Sequence, residues 1–214
     1  MVLCRDMARK RRMKKRKKDF FDNFDLASLR KVQPLCPHFP VCGGCRYQDI
    51  IYDDQVLMKE EYAQQLFGEQ VAVKPAPSAL HYRNRMDFVY AFGNLGLRKR
   101  GDFRSVIDIK TCHLIPEGYW ELHALVRELL KKHDIPSYDF LEHKGFLRYV
   151  VFRFAPSTGE SMVIFTSHHA PSEEVRDRFE QLLSVVATSA TSVYWFINDT
   201  LTDISIPPVA PKTW

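Results

Sequence analysis

Three cysteines within ten residues constrain this chain more than any other feature of it. The stretch Cys36-Pro-His-Phe-Pro-Val-Cys42-Gly-Gly-Cys45 spaces its thiols C-x5-C-x2-C. Pro37 and Pro40 stiffen the first arc and keep it out of helix, while Gly43 and Gly44 let the backbone approach a guest closely. Thiolates are soft ligands, so the natural guests are zinc or an iron–sulfur cluster. A four-coordinate guest needs one more ligand. Outside the N-terminal stretch the remaining cysteine is Cys112, in Lys110-Thr-Cys-His-Leu-Ile115. A fold that carries Cys112 to the loop creates a four-thiolate site, the ligand set of a [4Fe–4S] cluster. Zinc completed by His38 or His113 is the competing reading. Zinc ligands usually come in C-x2-4-C pairs, and here there is one pair, one outlier and one distant thiol. Inert buried cysteines are the third reading, and three thiols at this spacing disfavour it.

Charge divides the chain sharply. Residues 1–18 hold ten Lys or Arg against Asp6 alone, a local charge of +9. The formal total of +5 therefore leaves −4 for everything else. Such a run repels itself and is expected to be disordered, and its natural partner is a phosphate backbone. No apolar run approaches the roughly 20 residues of a membrane span. No apolar core of a signal peptide follows the basic start. Five cysteines without an export signal argue against a disulfide framework. The expectation is a cytoplasmic protein with no membrane partner.

Periodicity supplies a coarse map. The spacing of Met58, Tyr62 and Leu66 predicts a helix over 47–67, stopped by Gly68. Pro75 and Pro77 mark an extended linker. Residues 86–92, 95–100 and 106–109 read as strands of an antiparallel meander, with turns at Gly93-Asn94 and Gly101-Asp102. Residues 116–133 read as an amphipathic helix through Leu122, Leu125, Val126, Leu129 and Leu130. A hairpin over 146–154 and 162–166, a helix over 171–186 capped by Ser172, and strands at 192–197 and 202–206 complete the map. Mixed order with meanders rather than βαβ units predicts an α+β fold: an antiparallel meander sheet with flanking helices and a cysteine-rich cluster loop. The expected organisation is a basic tail and linker over 1–33, a cysteine-rich segment with its helix over 34–70, and a central α+β domain over 71–214.

Four stretches together resemble a known family. They are the cysteine loop followed by an aromatic residue and Gln48; Tyr82-Arg-Asn-Arg85 opening a strand; Leu95-Gly-Leu-Arg98; and Ile107-Asp-Ile-Lys-Thr-Cys112-His-Leu-Ile-Pro116. In this order and spacing they resemble the RNA 5-methyluridine methyltransferases, which act on uracil C5 in tRNA or ribosomal RNA. The resemblance runs from about Cys36 to the C-terminus, including Asn198-Asp-Thr. It implies that Cys36, Cys42, Cys45 and Cys112 ligate a [4Fe–4S] cluster and that the central α+β domain holds RNA. In the family a separate C-terminal domain binds S-adenosylmethionine and carries the nucleophilic cysteine. Nothing in residues 1–214 reads as that domain, and Cys4 in the basic tail has no neighbours to activate it. Many family members begin with a small β-barrel; the residues before Cys36 are too few for it, and the polybasic tail is expected to stand in its place.

The resemblance and the charge pattern nominate RNA contacts at Arg83 and Arg85 before the first strand, and at Arg98, Lys99, Arg100 and Arg104 on the hairpin. No residue of the chain is nominated as catalytic. The expected function is the iron–sulfur and RNA-binding portion of a uracil-C5 methyltransferase, truncated before its catalytic domain and relying on a longer product or a separate catalytic chain. The alternative is a non-enzymatic nucleic-acid-binding module with a structural zinc or cluster site.

Overall fold

A computed structural model describes residues 25–214, and the basic run at 1–18 and Cys4 lie outside the described residues. The chain forms two units. The smaller contains residues 25–30 and 51–74, and the larger contains residues 31–50 and 75–214.

In the smaller unit, helix α1 spans Tyr52–Phe67. It starts five residues later than the periodicity suggested. Residues 47–50 instead form a turn, in which the Ile50 amide donates to the Tyr47 carbonyl at 3.1 Å. Gly68 ends the helix in the left-handed region, at φ 75°, donating its amide to Gln64. Asp54 is buried against Arg30, whose Nε and backbone amide donate to its carboxylate at 2.9 and 2.7 Å.

The larger unit is built on one seven-stranded sheet. Its strands are β1 (Arg85–Ala91), β2 (Asn94–Lys99), β3 (Asp102–Asp108), β4 (Leu147–Ala155), β5 (Glu160–Ser167), β6 (Ser192–Ile197) and β7 (Lys212–Thr213). Their order across the sheet is β3-β2-β1-β4-β5-β6-β7. Helices α2 (Trp120–Lys132) and α3 (Glu173–Val186) supply Leu122, Val126, Leu130, Phe179 and Leu183 to a core shared with Phe88, Phe152, Phe165 and Trp195 of the sheet. Alternation explains this: every second residue of each strand turns toward the helices. Ser172 caps α3 by accepting the Val175 amide at 3.3 Å.

The mixed α+β class matches the expectation. Three details differ from it. The first turn is Phe92-Gly93, one residue earlier, because both residues take positive φ (54° and 73°) and close a two-residue hairpin with Ala91 opposite Asn94. Next, β5 and β6 run parallel, from Met162 opposite Ser192 to Ser167 opposite Ile197. Helix α3 is therefore the crossover of a βαβ unit inside an otherwise antiparallel sheet; its periodicity located the helix but carried no information on pairing direction. Finally, 202–206 is not a strand. Its backbone polar groups are taken by side chains of the sheet: Arg148 donates to Thr202 O at 2.6 Å and Thr166 to Ser205 O at 2.5 Å. The edge beside β6 is taken instead by the short β7.

Candidate functional site

The cysteine loop is stitched to the end of β2. Gly43 donates its amide to Arg98 O at 3.0 Å, Arg100 donates to Val41 O at 2.9 Å, and Cys42 bridges Lys99. A methyl group on Gly43 would sit 2.8 Å from the Arg98 carbonyl oxygen, so this approach needs glycine. The far end of the site is carried by the segment after β3. There Arg83 donates its amide to Leu114 O and His81 to His113 O, both at 2.8 Å, holding the turn that bears Cys112. His38 accepts the Lys110 amide at Nε2, 3.1 Å away, and so ties loop to turn.

Sheet and loop together bring all four predicted thiols to one small, partly open void. It is lined by Cys36, Cys42, Cys45 and Cys112, with Phe39, Leu97, Ile109 and Leu114 as its apolar wall. All four cysteines are free thiols. Burial pushes Cys42 and Cys112 up, and pushes Cys45 up to about 11, where the nearby Cys112, Cys36 and Cys42 add to the shift. These thiols are therefore neutral at pH 7 until a positive guest offsets the cost of charging them. Amide donors already point at the sulfurs. Gly44 donates to Cys42 Sγ at 3.3 Å, Leu114 and Ile115 donate to Cys112, and the Gln48 side chain lies 3.8 Å from Cys45 Sγ. Gln48 also accepts the Cys36 amide at 2.8 Å, so one side chain braces two of the four positions. Among the described residues no group of three or more His, Cys, Asp or Glu is arranged to hold a metal ion.

The nominated arginines and Lys99 divide into different settings. Arg85 forks onto Asp87 with two 2.7 Å hydrogen bonds. Arg98 pairs with Asp203 at 3.1 Å and lies 4.9 Å from the Phe140 ring centre. Arg100 donates to the Cys45 carbonyl and covers Phe39 at 5.4 Å. Lys99 and Arg104 are exposed, the latter over Phe103 at 5.6 Å. Arg83 lines an open concavity of about 510 Å³ with Tyr82, Asn84, Arg85, Met86, Asp87 and Leu97. The contact of its guanidinium is the Met86 sulfur at 3.7 Å, a weak acceptor.

One cluster went unread in the sequence. Arg148 of β4 is buried and donates to three carbonyls of one loop, Asn198 O at 3.0 Å, Thr200 O at 2.9 Å and Thr202 O at 2.6 Å. The signal available was an arginine inside an apolar strand run, a position that demands polar partners.

No protein-family model matches the chain. An uncharacterized RNA methyltransferase of Nanoarchaeum equitans is 32% identical over 201 residues, 92% of this chain and 43% of the relative. A tRNA (uracil(54)-C(5))-methyltransferase of Pyrococcus furiosus is 30% identical over 184 residues, 86% of this chain and 43% of the relative. Homologues over most of this chain are RNA methyltransferases, among them tRNA (uracil(54)-C(5))-methyltransferases. The crystal structure of the Pyrococcus abyssi tRNA (uracil-54, C5)-methyltransferase in complex with S-adenosyl-L-homocysteine superposes with a TM-score of 0.66 and 26% identity, over 81% of this chain and 40% of that one. The chain thus spans less than half the length of the relatives it matches. Among the described residues no helix is long and apolar enough to cross a membrane.

Proposed function

We propose that this chain is the iron–sulfur and RNA-holding portion of an S-adenosylmethionine-dependent RNA (uracil-C5) methyltransferase acting on tRNA or ribosomal RNA. One observation carries the reading: Cys36, Cys42 and Cys45 of the loop and the sequence-distant Cys112 line a single apolar void. The donor set is all sulfur, and backbone amides aim at the sulfurs, as hydrogen bonds do where they tune a cluster. Four thiolates are the ligand set of a [4Fe–4S] cluster, and these four cysteines would hold it. When bound, the cluster supplies cross-linking rather than reaction chemistry, joining the loop at 36–45 to the turn at 112.

Uracil C5 becomes reactive when a nucleophile adds at C6, and a flipped base needs a pocket and a methyl donor beside it. All four thiols among the described residues belong to the void. In this reading the nucleophile and the donor-binding fold lie in the part of the relatives that this chain does not span, in a longer product or a separate catalytic chain. The body holds the RNA through Arg83 and the exposed Lys99, Arg100 and Arg104, with Arg85 and Arg98 held beside them by carboxylates. The basic run at 1–18 adds sequence-independent attraction.

Anaerobic purification followed by iron and sulfide analysis tests the reading. The expected protein is brown, with about four irons per chain and a charge-transfer band. Colourless protein carrying one zinc would overturn the cluster and favour a non-enzymatic nucleic-acid-binding module.

A further inference from the structure

Leu97 lines both the cysteine void and the open concavity at 82–87. It is the shared wall between a cluster site and a surface that water and ligands reach. Its Cδ1 lies 3.1 Å from where a methyl group on Gly44 would be, so its side chain is pressed against the cysteine loop. On the concavity side stands Arg83. Its backbone amide holds the Leu114 carbonyl, and the Leu114 amide points at the Cys112 sulfur. The Ile115 amide, in the same peptide unit as that carbonyl, also points at the Cys112 sulfur, so one peptide unit joins the arginine to a cluster ligand.

Charge in the concavity is simple to assign. Asp87 is matched by Arg85 at 2.7 Å and by the Ser205 hydroxyl at 2.5 Å. Arg83 has no carboxylate partner among the described residues. The Tyr82 ring beside it is 59% exposed. A cation with a weak partner beside an exposed aromatic ring suits one phosphate and one stacked base of a single strand.

Resting on the iron–sulfur reading above, we infer that this concavity and the cluster are electrostatically coupled across Leu97: a nucleic-acid phosphate bound at Arg83 lowers the reduction potential of the cluster, and reduction of the cluster weakens RNA binding. The sign follows from charge. A [4Fe–4S] cluster on four thiolates is anionic, and accepting one electron from a low-potential donor makes it more so by about one unit. Arg83 favours that extra electron, and a phosphate on Arg83 cancels the favour. Burial pushes the Cys42 and Cys45 thiols up, and Arg83 is among the groups that pull both back, so its field reaches the sulfurs. Because linkage is reciprocal, the shift in potential and the shift in affinity are one quantity.

The test uses the full chain with its cluster, titrated with dithionite in mediators and followed by EPR. The titration is run with and without a uridine-rich single-stranded oligoribonucleotide at saturating concentration. The expected result is a lower midpoint potential with RNA, matched by weaker RNA binding of the reduced protein; an affinity change of tenfold corresponds to 59 mV. R83Q is expected to lower the potential of the free protein and remove the RNA-induced shift, and R83K to retain it. Iron content and melting temperature near wild type in R83K keep the comparison valid if R83Q folds poorly. Iron-loaded wild type that binds RNA with no change in potential overturns the coupling and leaves the cluster reading standing. A shift that persists in R83Q overturns the role of Arg83. Protein without iron overturns the cluster reading, and the coupling with it.

Discussion

The amide of Gly43 donates to the carbonyl oxygen of Arg98 at 3.0 Å, and both groups are backbone. Neither can swing aside, so the cysteine loop sits on β2 only as long as residue 43 lacks a side chain. A methyl group there would stand 2.8 Å from that oxygen, whereas one on Gly44 would first meet the Leu97 methyl at 3.1 Å. Gly43→Ala is therefore expected to destabilise by about 1–3 kcal/mol and lose iron, and Gly44→Ala to do less of both. Cys112→Ser should lose iron and melting temperature together, since a metal site that does not preform in the unfolded chain contributes its binding energy to folding. Iron assay and thermal melting read all three. Gly43→Ala with wild-type iron and melting temperature would show that the loop does not depend on this approach.

Arg148 is buried with three of its hydrogen bonds on the carbonyls of 198–202, and its Nε has no partner. Its guanidinium also lies 4.7 Å from the Tyr138 ring centre. Arg148→Leu leaves those carbonyls unpaired in a dry place. The expected loss is about 3 kcal/mol, with faster amide exchange in 198–205 than in α3. Uniform acceleration across both segments would indicate global destabilisation and no local clamp.

His123 of α2 is buried between Trp120, stacked at 4.2 Å, and Phe88, at 4.5 Å, and neither ring nitrogen has a partner. Burial, helped by the cation of Arg127 and opposed by Asp108, pushes its pKa down to about 3. The unfolded chain binds this proton near pH 6.5, and the folded one holds it off until about pH 3. Between those values the unfolded state carries more protons, so stability falls as pH falls. The contribution from pH 6.5 to pH 5 is roughly 1.5 kcal/mol. His123→Phe should flatten the dependence of urea midpoint on pH over that range. An unchanged slope would place the acid sensitivity elsewhere.

Element type was largely legible because apolar residues recur at helical or strand spacing. Ser172 and Gly68 marked helix ends through chemistry that acts within a few residues. What stayed hidden depends on groups distant in sequence. Asp87 and Ser205, 118 residues apart, share a hydrogen bond, and that contact helps make 202–206 a docked segment rather than a strand. The parallel pairing of β5 and β6 is likewise set by where α3 lands on the sheet. At the candidate site the cysteines were legible because thiols are rare and their spacing is distinctive. The settings of the arginines were not: Arg85 and Arg98 look alike in sequence to Arg83, yet Asp87 and Asp203 hold only the first two.

The positive excess of the chain lies in residues 1–18, at +9 against −4 elsewhere. Neutralised phosphates release counterions, so a tail that contacts them sets the slope of log K against log salt. Deleting residues 1–18 is expected to weaken RNA binding and flatten that slope. An unchanged slope would place the contacts on the body, at Arg83 and at residues 98–104.

Methyl transfer is the sharpest test of the division of labour. Covalent addition to uracil C6 requires an activated nucleophile, and a thiol serves only when a base or a lowered pKa makes it a thiolate. Burial pushes Cys42, Cys45 and Cys112 the other way, and all three line the void with Cys36. Cys4 precedes the basic run with Arg5 and Asp6 as its nearest charges, and no histidine stands near it in sequence to act as its base. Residues 1–214 on their own are therefore expected to bind RNA and to transfer no methyl group from S-adenosylmethionine. Purified chain, labelled S-adenosylmethionine and unmodified tRNA or ribosomal RNA are incubated together, and label in RNA is counted against a no-protein control. Incorporation that persists after further purification and disappears in Cys4→Ser would make the tail cysteine the nucleophile and these 214 residues a working enzyme.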